Sequence, residues 1–296
     1  MGATSLASFI PDVWGEKINE FYKSKLVCAP FFTDRSDEVR EGGDTLFTPS
    51  ISELTASAKT YATAVSLQDP TDAKITLTID QHFESSFAIE DKEAAQVKRS
   101  YSTMERYARS SAYAIAKKLD VAICNLFTGF SNQVGSSTTT IADSDIRAAI
   151  AIAEANNVPV DEMAFFVTPN VFWRQIQKLD KFSLAINSPV QDPTSKMPKA
   201  FLYGLPVFVS NNLRHVVVSG SAGRFNALAH PDSIHWATSP LGAGGSQGGM
   251  VGSGGVRVQS NYIPEYLSTV TTADILYGVC ENRDEGGVAI LTHAIG

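Results

Sequence analysis

The chain has 296 residues, 44% hydrophobic and 19% charged, with a net charge of −7; this balance excludes a disordered or fibrous protein and one whose whole surface grips nucleic acid, while leaving room for a local basic face. Its length can bury roughly three quarters of the unfolded surface, in about two lobes. The three cysteines, Cys28, Cys124 and Cys280, are odd in number, far apart and without C-x-x-C spacing, which points to buried free thiols rather than a disulfide framework or a zinc site.

The opening MGATSLASFIPDVWGEK has no basic n-region, and no stretch of the chain approaches about 18 consecutive apolar residues, so folding in a cytoplasm and no membrane association are expected. Pro11 suits a first helical turn, and Trp14, Ile18, Phe21 or Tyr22, and Leu26 then recur at helical spacing. The apolar stripe of this short helix would dock on the chain's own core or on a neighbouring subunit. From REGGDTLFTPSISEL to KITLTIDQHFESSFAIED the pattern becomes extended, with Ile75, Leu77 and Ile79 alternating with Thr76, Thr78 and Asp80. Between these flanks TASAKTYATAVSLQDPTDAK carries a turn signal at Asp69-Pro70-Thr71-Asp72 and too few large apolar residues for a core. Such an arm must either stand in solvent or lie on another chain, which makes Tyr61, Asp69 and Pro70, with Trp14 and Phe21, candidate contacts between subunits.

Residues 91–127 hold the longest helical signal, free of glycine and proline and about 55 Å long if continuous. Asp91 is a plausible N-cap, and Ala94, Val97, Tyr101, Met104 and Ala108 step by 3 and 4 before the stripe resumes at Ala112, Ile115, Leu119, Ala122 and Leu126. Seven basic residues against four acidic give this segment +3 in a chain of −7. Lys98, Arg99, Arg106, Arg109, Lys117 and Lys118 are either an ordinary solvated face or a surface facing a polyanion. GFSNQVGSSTTTIADSD reads as a loop, ending at an Asp143 or Ser144 helix cap. A helix with Ile146, Ala149, Ile150 and Ala153 follows, then a buried strand over Met163–Val167, a Thr168 cap, Pro169 in the first turn, and an amphipathic helix with Phe172 and Ile176. GLPVFVSNNL and RFNALAHPDSIHWATSP add strands, and residues 266–294 read as a β-hairpin turning near Glu285-Gly286-Gly287.

Motifs for catalysis, cofactors and metals are missing: there is no P-loop, no H-E-x-x-H and no G-x-G-x-x-G opening a helix after a strand. The five histidines never fall at i, i+4, and Asp143 and Asp145 sit where helix caps belong. One match stands out. Gly244-Gly245-Ser246-Gln247-Gly248 fits the G-x-S-x-G nucleophile elbow, with Asp274, Asp284 and His293 following in hydrolase order. The elbow needs a helix after the serine to build its oxyanion hole, and QGGMVGSGG cannot hold one when each interior glycine costs about 1 kcal/mol. Ser246 therefore reads as a loop residue and a candidate contact between subunits, and the chain is expected not to be an enzyme and to need no cofactor or metal.

The order of parts resembles the major capsid protein of tailed bacteriophages, the α+β Hong Kong 97-type fold, over most of the chain. FIPDVWGEKI resembles an N-terminal arm. GGDTLFTP to TLTIDQHFESSFAIED resembles the extended hairpin called the E-loop, and DKEAAQVKRSYSTMERYARSSAYAIAKKLD the long spine helix that follows directly. FFVTPNVFWRQIQKL and GLPVFVSNNL would belong to the axial domain. The resemblance implies an arm over 1–33, E-loop and first peripheral strand over 34–90, spine helix over 91–140, axial domain over 141–235, and over 236–296 a return to the peripheral domain with a glycine-rich loop and a C-terminal hairpin. It further implies hexamers and pentamers of the chain tiling a head around double-stranded DNA held nonspecifically, inside a host cytoplasm, with separate scaffolding and portal proteins. Lys59, Lys74 and Asn261 lie roughly where some members cross-link, but no motif carries that chemistry over. A nanocompartment shell of the same fold, enclosing enzymes, is the alternative; the serine hydrolase is the third reading.

Overall fold

The computed structural model describes residues 23–24, 26–39, 43–51, 54–65, 67–69, 72–92, 103–179, 200–218, 221–239, 250–251 and 256–294. The helix expected after Pro11, with Trp14 and Phe21, lies outside these residues, as do Pro70, Lys98, Arg99 and Ser246. The described strands and helices are β1 (Thr33–Asp34), β2 (Thr45–Ile51), β3 (Asp72–Thr78), β4 (Gln81–Glu90), α1 (Thr103–Leu126), β5 (Asn132–Gly135), α2 (Asp143–Ala155), β6 (Ala164–Val167), α3 (Pro169–Arg174), β7 (Ala200–Leu202), β8 (Leu205–Val209), β9 (His215–Val218), β10 (Ser221–Ala229), β11 (Ile234–Ser239), β12 (Met250–Val251), β13 (Arg257–Ile263), β14 (Ser268–Glu281) and β15 (Gly287–His293).

Strand β14, 14 residues long, organises the first sheet. β4 runs antiparallel along one edge from Ser268↔Glu90 to Tyr277↔Gln81. The other edge is shared by β13 and β11, with β12 beyond β13 and β1 parallel to β11. Helix α1 packs on this sheet at β4 and β14. The second sheet has the order β5-β15-β10-β6-β8-β7, with β9 beside β10. Its central strands β6 and β15, with β10 from Asn226 to Ala229, are buried on both faces, as strands covered on two sides must be. Along β6, Ala164 and Phe166 enter the cluster shared with α1 and the first sheet, while Phe165 and Val167 enter the cluster under α2 and α3. Ala227 and Ala229 against Leu228 on β10, and Ala289 against Val288 and Ile290 on β15, repeat that division. The period of two thus builds two cores from one sheet.

The helix expected over 91–127 is described from Thr103 to Leu126. Its buried side is wider than a single stripe, because Ile123, Cys124 and Phe127 are buried along with Ile115 and Leu119. Three expectations need correction. The polar stretch read as a loop before Asp143 contains β5, which pairs in parallel with β15; a short edge strand needs only one packed side chain, here Val134. Helix α2 starts one residue early, after Ala142, and Asp145 caps it by accepting the Ala142 N–H at 2.9 Å. The C-terminal pair is not a hairpin: a turn at Asp284–Gly286 reverses the chain, but β14 stays in the first sheet and β15 crosses into the second. The nearly all-apolar GVAILTH is buried on both sides except at its last residue, which suits the doubly covered sheet and not a partner beside β14.

Candidate functional site

The most exposed structured element is the arm formed by β2 and β3. They pair antiparallel from Thr45↔Thr78 to Ile51↔Asp72 as a two-stranded sheet of their own. A lone two-stranded hairpin is marginal in water, and this one carries large apolar side chains in solvent: Tyr61 is 97% and Leu67 90% exposed, with Ile51, Leu54 and Val65 also open. Asp69 is exposed as well. The tip is held by polar bonds. Gln68 and Thr55 bridge across it, the Thr55 N–H donating to Gln68 Oε1 at 3.0 Å and the Gln68 amide donating to the Thr55 carbonyl. Lys59 folds back onto the turn, donating to the Thr60 carbonyl at 3.0 Å and to Thr63. Lys74 lies 4.6 Å from the centre of the Phe47 ring on the stem.

At its root the arm is fastened to the first sheet. Leu77 and Ile79 are buried with Val39 and Ala237, and the Ile79 N–H donates to the Asp44 carbonyl at 2.8 Å. Here the chain passes so close to β14 that a Cβ on Gly278 would lie 2.2 Å from the Thr78 carbonyl oxygen. Glycine is what lets the arm leave the sheet at this point.

A second feature joins the lobes. Asp120 of α1 is fully buried. Its Oδ1 accepts the N–H groups of Cys28 at 2.8 Å and Ala29 at 3.2 Å, and its Oδ2 accepts the Asn212 amide at 2.7 Å. Burial pushes the carboxyl above its ordinary range, with these donors pulling the other way. The indole N–H of Trp236 donates to the Ala29 carbonyl at 3.1 Å, and Phe32 packs against Phe127 and Phe166. Residues 27–32 are thus clamped between α1 and both sheets. One turn beyond Asp120, Cys124 places its sulfur 2.7 Å from that of Cys28. Sequence reading missed this junction: Asp120 looks like one more helix charge, and its partners lie 92 residues away on either side.

The basic residues of α1 are spread around the helix. Arg106 and Lys117 are eleven residues apart, about three turns, and so in line; Arg109 and Lys118 are nine apart, about two and a half turns, and so on opposite sides. Arg109, Lys117 and Lys118 are exposed and Arg106 is partly covered. The Lys118 ammonium sits 4.7 Å from the centre of the Phe83 ring on β4, with its charge turned toward the first sheet. The hydrolase residues are not gathered. Asp274 is taken by Arg257 in a two-pronged ion pair, at 2.9 and 2.5 Å, and by His82 at 3.1 Å. Burial raises its carboxyl, but these bonds outweigh that and hold it below the usual range. Asp284 accepts the Ser131 N–H at 2.7 Å, and His293 ends β15 in the other sheet. Among the described residues no helix is long and apolar enough to cross a membrane.

A family model described as phage capsid protein matches residues 72–290. The fold is similar to a solved structure from Mycobacterium phage Che8, with a TM-score of 0.71 at 19% identity over 95% of this chain and 97% of that one. It is similar to the capsid of cyanophage P-SCSP1u, with a TM-score of 0.72 at 12% identity over 100% and 96% of the two chains. The capsid of Ralstonia phage GP4 follows with a TM-score of 0.67 at 12% identity over 100% and 99%. No curated protein matches the chain.

Proposed function

Because the chain belongs to the phage capsid protein family, we propose that it is the major capsid protein of a tailed phage, a Hong Kong 97-type subunit that self-assembles into an icosahedral head around double-stranded DNA. The observation that carries this reading is the arm. Its stem is built regularly and anchored firmly, yet Ile51, Leu54, Tyr61, Val65 and Leu67 stand in solvent. Apolar surface of this kind marks an interaction site, and in a closed shell many weak contacts of this sort reinforce one another.

In this reading β2 and β3 are the E-loop and α1 the spine helix. The first sheet with α1 is the peripheral domain, and the second sheet with α2 and α3 the axial domain. The domain ranges expected from the sequence are kept, except that β5 and β15 join the axial sheet, so the spine-helix range ends before Asn132 and the last boundary moves to the turn at Asp284–Gly286. The partners are further copies of the chain in hexamers and pentamers, with separate scaffolding and portal proteins, assembling in the host cytoplasm. Tyr61 and Asp69 belong to the contact between copies, and Trp14, Phe21, Pro70 and Ser246 are proposed to share it.

The aligned Arg106 and Lys117, with Lys98, Arg99 and Arg109, are proposed to face the packaged DNA, whose phosphates attract them without regard to sequence and in proportion to low salt. The test is the nuclease-protected DNA of native particles carrying Arg106→Glu with Lys117→Glu. DNA per particle is expected to fall about twofold or more while particle yield holds, because the reversed charges repel phosphates in place of attracting them. Unchanged packaging would contradict the DNA-facing role, and protein cargo in place of DNA in native particles would assign the chain to nanocompartments instead.

A further inference from the structure

We propose that Cys28 and Cys124 are a redox pair that closes to an intrachain disulfide under oxidising conditions, fastening the segment before β1 to α1. The pair is 96 residues apart in sequence, and its sulfurs are 2.7 Å apart. That is inside the roughly 3.5–4.0 Å of two carbons in contact, although sulfur is the larger atom, and a disulfide requires only about 2.05 Å with little latitude in the backbones that carry it. Both backbones are pinned. Cys124 sits on α1 four residues after Asp120, on the same face, and Asp120 holds the Cys28 and Ala29 N–H groups. The Cys28 carbonyl accepts the N–H groups of Phe31 and Phe32 at 3.0 and 3.1 Å, fixing the turn from the other side. The two cysteines are therefore held beside each other, ready for the cross-link.

A metal would be the other use of two thiols beside a carboxylate, and Cys28, Asp120 and Cys124 do converge. The carboxylate is already committed: Oδ1 accepts two backbone N–H groups and Oδ2 the Asn212 amide, leaving two sulfurs where a structural zinc takes about four donors. Burial raises both thiols above their ordinary range, so they stay protonated and react slowly. A reducing cytoplasm keeps such a pair as thiols, and an oxidising exterior can close it. With a peroxide as oxidant, one thiol attacks the O–O bond to give a sulfenic acid, and its proton leaves in the first water. The second thiol displaces the sulfenic oxygen, which departs as a second water with the remaining proton, as the S–S bond forms. The closed ring would contain the whole arm and β4, restricting the unfolded chain over that span.

The inference is independent of the shell reading and is tested on the full chain, reduced and then exposed to hydrogen peroxide, before alkylation under denaturing conditions and peptide mapping. The expected result is a linked Cys28–Cys124 peptide pair, an intact mass lower by two hydrogens, and Cys280 outside any cross-link. The thermal midpoint should rise on oxidation, return with dithiothreitol, and show no such reversible rise in Cys28→Ser. Should that variant not fold, Cys124→Ser and the wild-type peptide map decide the matter. Both cysteines remaining free or reaching sulfinic acid unlinked, a link to Cys280, or stoichiometric zinc released on denaturation would each overturn the proposal.

Discussion

Glu281, the last residue of β14, has its carboxyl pushed up to about 7, first by burial and then by the neighbouring Asp284 and Glu285. Asp284 is raised by burial too, but its bonds from Ser131 hold it low, so the proton stays on Glu281. An unfolded glutamate releases its proton near pH 4.3, whereas the folded chain keeps it to about 7. Between those values the folded state binds more protons, so stability falls as pH rises through the window and stays lower above it. Glu281→Gln should flatten this fall, raising stability near pH 8 by on the order of 1 kcal/mol once solvent screening of a half-exposed group is allowed for. Little change is expected near pH 4. Denaturant midpoints across this range are the measurement, and a wild-type stability independent of pH would contradict it. Nothing in the sequence around Glu281 announces this, because the effect depends on burial in the fold.

The arm and α1 were legible because each has a local signature. A segment poor in large apolar residues between two alternating flanks has few folds open to it, and a long run without glycine or proline favours helix. What was not legible is partnership at long range. Period-two alternation marks β14 and β15 as strands but does not say that they part into different sheets, and the four residues of β5 become a strand only because β15 lies beside them. The Asp120 junction is hidden for the same reason. At the root of the arm the decisive residue is Gly278, which reads as a blemish in a strand. Gly278→Ala should destabilise the subunit by about 1–3 kcal/mol, since the new methyl must push against the Thr78 backbone. A thermal midpoint unchanged by the substitution would mean that the arm does not leave the sheet at this point.

Across the whole molecule, two cores share a sheet whose central strands are buried on both faces, and the arm stands outside both. The subunit is therefore expected to fold without the tip of the arm and to assemble only with it. Removing Thr55–Asp69 spares all seven paired positions of the stem as well as the buried root at Leu77 and Ile79, so among the described residues the loss falls on exposed ones alone. The most direct test is electron microscopy of the purified wild-type chain beside this deletion, with circular dichroism on both. The wild type should form closed shells, sheets or tubes, and the deletion should retain the folded spectrum while remaining unassembled. A wild-type chain that stays monomeric at every concentration, or a deletion that assembles as well as the wild type, would contradict the account.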